Sequence, residues 1–328
     1  MIGRVLAVLR SPWVRWAFLA VALGLAVVAV VSSWGQIVTA ADSLSVGTLL
    51  AVGGASVAYV LCTLAAWRVV LADLGSRLPW GAATAVFGLS QVGKYVPGGV
   101  WNVVAAAELG AEHQVPRRRS LAAMLVALLV SVVSGCAVGA VALPFVGSDV
   151  LGAWSWLAWV APVFVVALLP PVLNRIVGLG LRLGRGAPMQ GAMSWRGLGL
   201  ATLWSVVAWL FAGFQLWLLA TALGMDTSAR TLALAVAGYA LAWVVGFLVV
   251  VVPAGAGARE AVLLAVLAGS ISHGAVVLTV LSSRVVLTVT DFALAGAGLL
   301  IVRRRRPRTV TARRRTRNRS AGSRRPAS

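Results

Sequence analysis

Between Arg119 and Asp149 the chain carries no charged side chain. The apolar residues of that run are continuous and do not alternate. A membrane-spanning helix needs about 20 such residues, whereas a barrel strand alternates inward and outward positions. Comparable apolar segments lie near 14–33, 48–71, 120–143, 154–173, 199–223 and 276–302. Only 11% of the 328 residues are charged, against 60% hydrophobic. That leaves too little polar surface to cover a water-soluble domain of this length. The expected class is an all-α polytopic membrane protein with about six full crossings.

Two further stretches, 81–110 and 231–270, are apolar but interrupted. Each interruption pairs proline with glycine: Val96-Pro97-Gly98-Gly99, and Val252-Pro253-Ala254-Gly255 followed by Gly257. Proline removes an N–H and clashes with the preceding turn, and glycine loosens the backbone. Each stretch reads as two half-helices, either a re-entrant hairpin or a tight pair of crossings. That makes eight apolar segments in all. The breaks are 156 residues apart, and a shift by 156 lays the helix at 48–71 and the segment at 120–143 near 204–227 and 276–299. The expected architecture is therefore an inverted repeat, about 48–143 and 199–302, with an odd number of crossings reversing the second unit. Secondary transporters share this layout and bind cargo between the repeats near the midplane.

Charge placement sets an expected orientation. One side carries Arg4, Arg10, Arg15, Arg68, Arg77, Arg117, Arg118, Arg119, Arg175, Arg182, Arg185 and Arg196, whereas the other carries Asp42, Asp149, Asp226 and Arg230. By the positive-inside rule both termini face the cytoplasm of an inner cell membrane. The first apolar segment lacks a clear cleavage site and reads as a retained helix. Much of the net charge of +20 comes from twelve arginines between Arg303 and Arg325. That segment, 303–328, reads as a disordered tail on anionic cytoplasmic lipid, with no nucleic-acid partner expected. Residues 1–302 form the membrane domain. Cys62 and Cys136 sit in apolar runs as small core residues, and His113 and His273 form no metal set. Neither a metal nor a cofactor is expected, and no phosphate-binding loop suggests ATP drive.

The remaining charges lie at membrane depth, where each costs at least about 2.5–3.5 kcal/mol on insertion scales. Lys94, the only lysine, falls three residues before Pro97 and one turn after Gln91. It reads as a headgroup contact, or as a snorkelling or helix-capping residue. Arg259 and Glu260 open the arm after Gly255 and Gly257, where the helix N-terminus favours an anion. A mutual or cross-helix ion pair is the alternative. Arg284 and Asp291 are seven residues apart on one face of the last helix, placed for a structural pair or a site. Asn102 is placed to satisfy carbonyls freed at the first break and is a candidate substrate-binding residue, and Trp101 is placed to pack or anchor. Arg68 reads as snorkelling, Glu108 as the close of the first hairpin, and the fourteen tryptophans mostly as an interfacial belt.

The stretches GKYVPGGVW, AAAELG and VPRRRS, with VVPAGAGAREAVL at 251–263, resemble the transmembrane flippase domain of the lysylphosphatidylglycerol synthase family over about residues 10–302. The resemblance implies an inner-membrane protein that flips, or helps process, lipids with charged or glycosylated headgroups. It maps the family's motifs onto Lys94, Tyr95, Pro97 and Gly98, and onto Pro253, Gly255, Gly257, Arg259 and Glu260. After Val302 only the basic tail follows, so the soluble aminoacyl-transferring domain and its synthase activity are expected to be absent.

The expected function is movement of an anionic or glycosylated amphiphile between leaflets. Lys94, Arg259 and Arg284 would bind the headgroup, with Glu260 and Asp291 as balancing charges. An alternative is a non-catalytic subunit presenting lipid to a membrane glycosyl- or aminoacyl-transferase. An embedded transferase is the weakest reading, because no nucleophile and base fall together and catalytic residues are not expected.

Overall fold

The computed structural model describes residues 44–95, 101–146, 193–249 and 255–305, with a few further positions between 163 and 175. The first apolar segment, most of 154–173, the breaks at Pro97, Gly98, Gly99 and Pro253, and the tail from 306 onward lie outside the described residues.

The fold is all-helical. Eight α-helices are described: α1 Val46–Asp73, α2 Trp80–Val92, α3 Trp101–Glu112, α4 Arg117–Val146, α5 Trp195–Ala222, α6 Ala229–Leu248, α7 Ala258–Leu267 and α8 His273–Arg305. A short 3-10 turn, Gly93–Tyr95, continues α2. Five of the helices are long and apolar enough to cross a membrane: α1, α4, α5, α6 and α8. Four of these match full crossings expected from sequence. The fifth, α6, is 20 residues long and can span by length and composition, more than a half-helix requires. By contrast α2, α3 and α7 have 13, 12 and 10 residues. At 1.5 Å per residue, each reaches only about 15–20 Å, short of the ~30 Å hydrocarbon core.

Helix starts follow local chemistry. Ser45, Ser194 and Ser228 cap α1, α5 and α6 by accepting the N–H of Thr48, Gly197 and Thr231. The Asp73 carboxylate at the end of α1 accepts the Ser194 N–H and hydroxyl, both at 2.7 Å, tying α1 to the start of α5.

Packing is reciprocal. The long α1 and α5 lie against each other; α8 packs on α2, and α6 packs on α4. Small residues allow close backbone approach between such helices. A methyl group on Gly88 of α2 would lie 2.8 Å from the Leu294 carbonyl of α8, and one on Gly298 of α8 would lie 2.9 Å from Ala85 Cα. Two cores result. One joins Trp67, Leu71, Val86, Phe87, Val126 and Val130. The other joins Trp209, Leu216, Tyr239, Leu263, Leu267 and Val280. Trp67 and Trp209 are buried, so they leave the expected interfacial belt, while Trp80, Trp101 and Trp195 are exposed as that belt requires.

Arg68 Nε donates to the Leu78 carbonyl at 2.9 Å, and its guanidinium lies 4.3 Å from the centre of the Trp80 ring. The arginine thereby fixes the connection between α1 and α2.

Candidate headgroup site

A cavity of about 360 Å³ opens where the arms of both broken stretches meet α1, α4, α5 and α8. Its size is at the low end for small-molecule sites. Lys94, Asn102, Arg259, Arg284 and Asp291 line it. Two regions far apart in sequence supply these residues: the 3-10 turn with α3, and α7 with α8. Glu260 is not on the wall but pairs with Arg284, which is.

Lys94 Nζ lies 2.6 Å from Asp291 Oδ2, and the same oxygen accepts the Tyr95 hydroxyl at 2.6 Å. A longer contact, 3.4 Å, joins Lys94 to Gln91 Oε1. These contacts tie the lysine to the last helix. Its side chain is 31% exposed, whereas that of Asp291 is 5% exposed. The carboxylate is thus the buried member of the pair, and the ammonium the one that reaches the open space.

The pair anticipated between Arg284 and Asp291 is not the one formed. Arg284 Nη1 meets Glu260 Oε1 at 3.2 Å, and Asp291 goes to Lys94. Two turns of α8 separate the two residues, and each meets a different broken stretch. Glu260 also accepts the Gly257 N–H at 2.6 Å, satisfying an amide at the start of α7. A mutual pair of Arg259 with Glu260 is likewise replaced. Arg259 Nη2 donates to the Tyr239 hydroxyl at 2.7 Å, and its guanidinium sits 5.2 Å from the centre of that ring.

Gly255 and Gly257 have φ of +66° and +83°. These left-handed values suit glycine. A methyl group on Gly255 would stand 2.8 Å from the Cα and carbonyl oxygen of Gly246 on α6. The bare backbone lets α7 begin beside the end of α6 and sends Arg259 toward Tyr239. Asn102 Oδ1 accepts the adjacent Val103 N–H at 2.9 Å, at the start of α3; the carbonyls of the first break lie outside the described residues.

Sequence reasoning missed the aromatic wall. The protein has three tyrosines, and all of them, Tyr59, Tyr95 and Tyr239, line this cavity. Trp209 and Trp243 join them, with ring centres 5.2 Å apart. The rarity of tyrosine in this chain was the available signal. At the α3–α4 connection, Glu108 and Arg117 form a two-bond pair, both at 2.8 Å. That hydrogen-bonded guanidinium holds the Glu108 carboxyl below its usual range. Among the described residues, no three His, Cys, Asp or Glu side chains gather as a metal set.

The model of the lysylphosphatidylglycerol synthase TM region matches residues 17–295. The chain belongs to that family. It is a multi-pass membrane protein of the lipid-modification or transport type. No curated protein matches it closely enough to be counted a relative.

Proposed function

We propose that this family member is a flippase, moving an anionic or glycosylated amphiphile between the leaflets of the inner cell membrane. The observation that carries the reading is the charge inventory of one cavity. Lys94, Arg259 and Arg284 bring three cations, while Asp291 and Glu260 bring two carboxylates, leaving one net positive charge. A positive charge kept at membrane depth needs a compensating anion, and a phosphate headgroup supplies it. The mostly apolar remainder of the wall suits the adjoining lipid tail.

The reciprocal packing supports an inverted repeat, 48–143 and 199–302, within a membrane domain of residues 1–302. Exchanging the two units turns the α2–α8 contact into the α6–α4 contact and leaves the α1–α5 contact in place. Transport then proceeds by rocking of one unit against the other around the shared site. Both termini lie in the cytoplasm in this reading, and the arginine-rich tail rests on anionic lipid. The chain moves its cargo without covalent chemistry and without a cofactor.

Reconstitution tests this directly. In vesicles with a fluorescent phosphatidylglycerol analogue, the wild-type protein should speed exchange between leaflets. Arg259→Ala should slow it at least about tenfold, the equivalent of ~1.4 kcal/mol. Wild-type vesicles that exchange lipid no faster than protein-free ones would sink the transport reading. They would favour a subunit that presents lipid to a membrane glycosyl- or aminoacyl-transferase.

A further inference from the structure

We infer that the cavity selects a phosphate headgroup bearing no fixed cation, and therefore discriminates against an aminoacylated lipid such as lysylphosphatidylglycerol. The inference rests on the headgroup reading of the cavity given above and narrows its cargo. Both carboxylates at the site already face a cation of the protein. Asp291 receives Lys94 and Tyr95 on one oxygen, and Glu260 receives Arg284 on one oxygen and the Gly257 amide on the other. Two aromatic faces that would attract an ammonium already carry the protein's own cations: Arg259 over Tyr239, and Lys94 5.5 Å from the centre of the Tyr95 ring. An incoming lysyl group would add two positive charges beside three. A phosphate without that group meets a site with one net positive charge.

The surplus cation identifies the residue that sets the preference. Lys94 and Arg284 each face a carboxylate, whereas the described partner of Arg259 is the neutral Tyr239 hydroxyl. Arg259 is therefore the charge most available to a phosphate, and neutralising it removes the imbalance. Specificity of this kind is a difference of affinities in which repulsion of the wrong headgroup counts as much as attraction of the right one.

The test is a native mass spectrometry titration of the full chain, purified in detergent and stripped of lipid. The ligands are phosphatidylglycerol and lysylphosphatidylglycerol with identical acyl chains, with phosphatidylethanolamine as the reference. The wild type should bind phosphatidylglycerol at least about tenfold more tightly than the lysylated lipid. In Arg259→Gln, and in Lys94→Gln as a second variant, that ratio should shrink because phosphatidylglycerol binding weakens. Equal or tighter binding of the lysylated lipid by the wild type overturns the inference, whether or not either variant folds. Failure to bind either lipid better than phosphatidylethanolamine overturns both this inference and the headgroup reading. Selective phosphatidylglycerol binding without leaflet exchange would remove transport and leave the inference standing.

Discussion

Asp291 of the last helix holds Lys94 of the first broken stretch at 2.6 Å. Two turns earlier on the same helix, Arg284 holds Glu260 of the second broken stretch at 3.2 Å. Thus α8 binds each broken stretch through a separate ion pair of opposite polarity. A movement of either stretch against α8 must therefore break its pair.

Asp291→Asn should free Lys94 while leaving an acceptor for the Tyr95 hydroxyl. Breaking a fully buried pair costs about 3–5 kcal/mol. Here the partly exposed lysine is screened, so a loss of roughly 1–3 kcal/mol is expected. Thermal unfolding in detergent should show a lower Tm, and phosphatidylglycerol should bind more tightly as the site gains a positive charge. An unchanged Tm together with unchanged affinity would contradict the role given to the pair.

Tyr239→Phe should separate two contributions to Arg259. It removes the 2.7 Å hydrogen bond and keeps the ring beneath the guanidinium. The expected stability loss is about 0.5–1.5 kcal/mol, with anionic-lipid binding retained or improved. Tyr239→Ala removes the ring as well and should weaken binding by disordering the arginine. Equal lipid affinities for the two variants would argue against the ring as the support.

Gly255→Ala should be far worse than its size suggests. Forcing a side chain into left-handed backbone costs about 1–2 kcal/mol, and the added methyl meets Gly246 at 2.8 Å. The yield of monodisperse protein on size-exclusion chromatography should fall sharply. Normal yield and Tm would show that the second break tolerates a different path.

Glu108→Gln serves as a contrasting case. The Glu108–Arg117 pair is solvent-exposed, with side chains 58% and 61% accessible, and exposed pairs contribute little. Leaflet exchange and lipid binding should match the wild type at neutral pH. Because the folded carboxyl titrates lower than in the unfolded chain, its small contribution is present above the ordinary carboxylate range. It disappears as pH falls through the lowered value. A large transport defect would move this pair into the working machinery.

The long helices were legible because continuous hydrophobicity reports membrane burial directly. The segment 48–71 became Val46–Asp73, and 276–302 became His273–Arg305. Charged residues at depth were legible as candidates because their cost demands a reason, and Lys94, Arg259, Arg284 and Asp291 line one cavity. Their partners were not legible. Spacing places Arg284 and Asp291 on one face of a helix, but it cannot say which broken stretch each meets. Tyr59, Tyr239 and Trp209 escaped for a related reason: an aromatic residue inside an apolar run has the same sequence signature whether it faces lipid, core or cavity. Only packing against α5, α6 and α8 distinguishes these cases.

The most direct test of the central claim is mass spectrometry of the lipids that copurify with the wild type and with Arg259→Ala. The account predicts one anionic or glycosylated lipid enriched on the wild type and lost from the variant. Equal, bulk-like lipid on both would contradict it and remove Arg259 from the headgroup site.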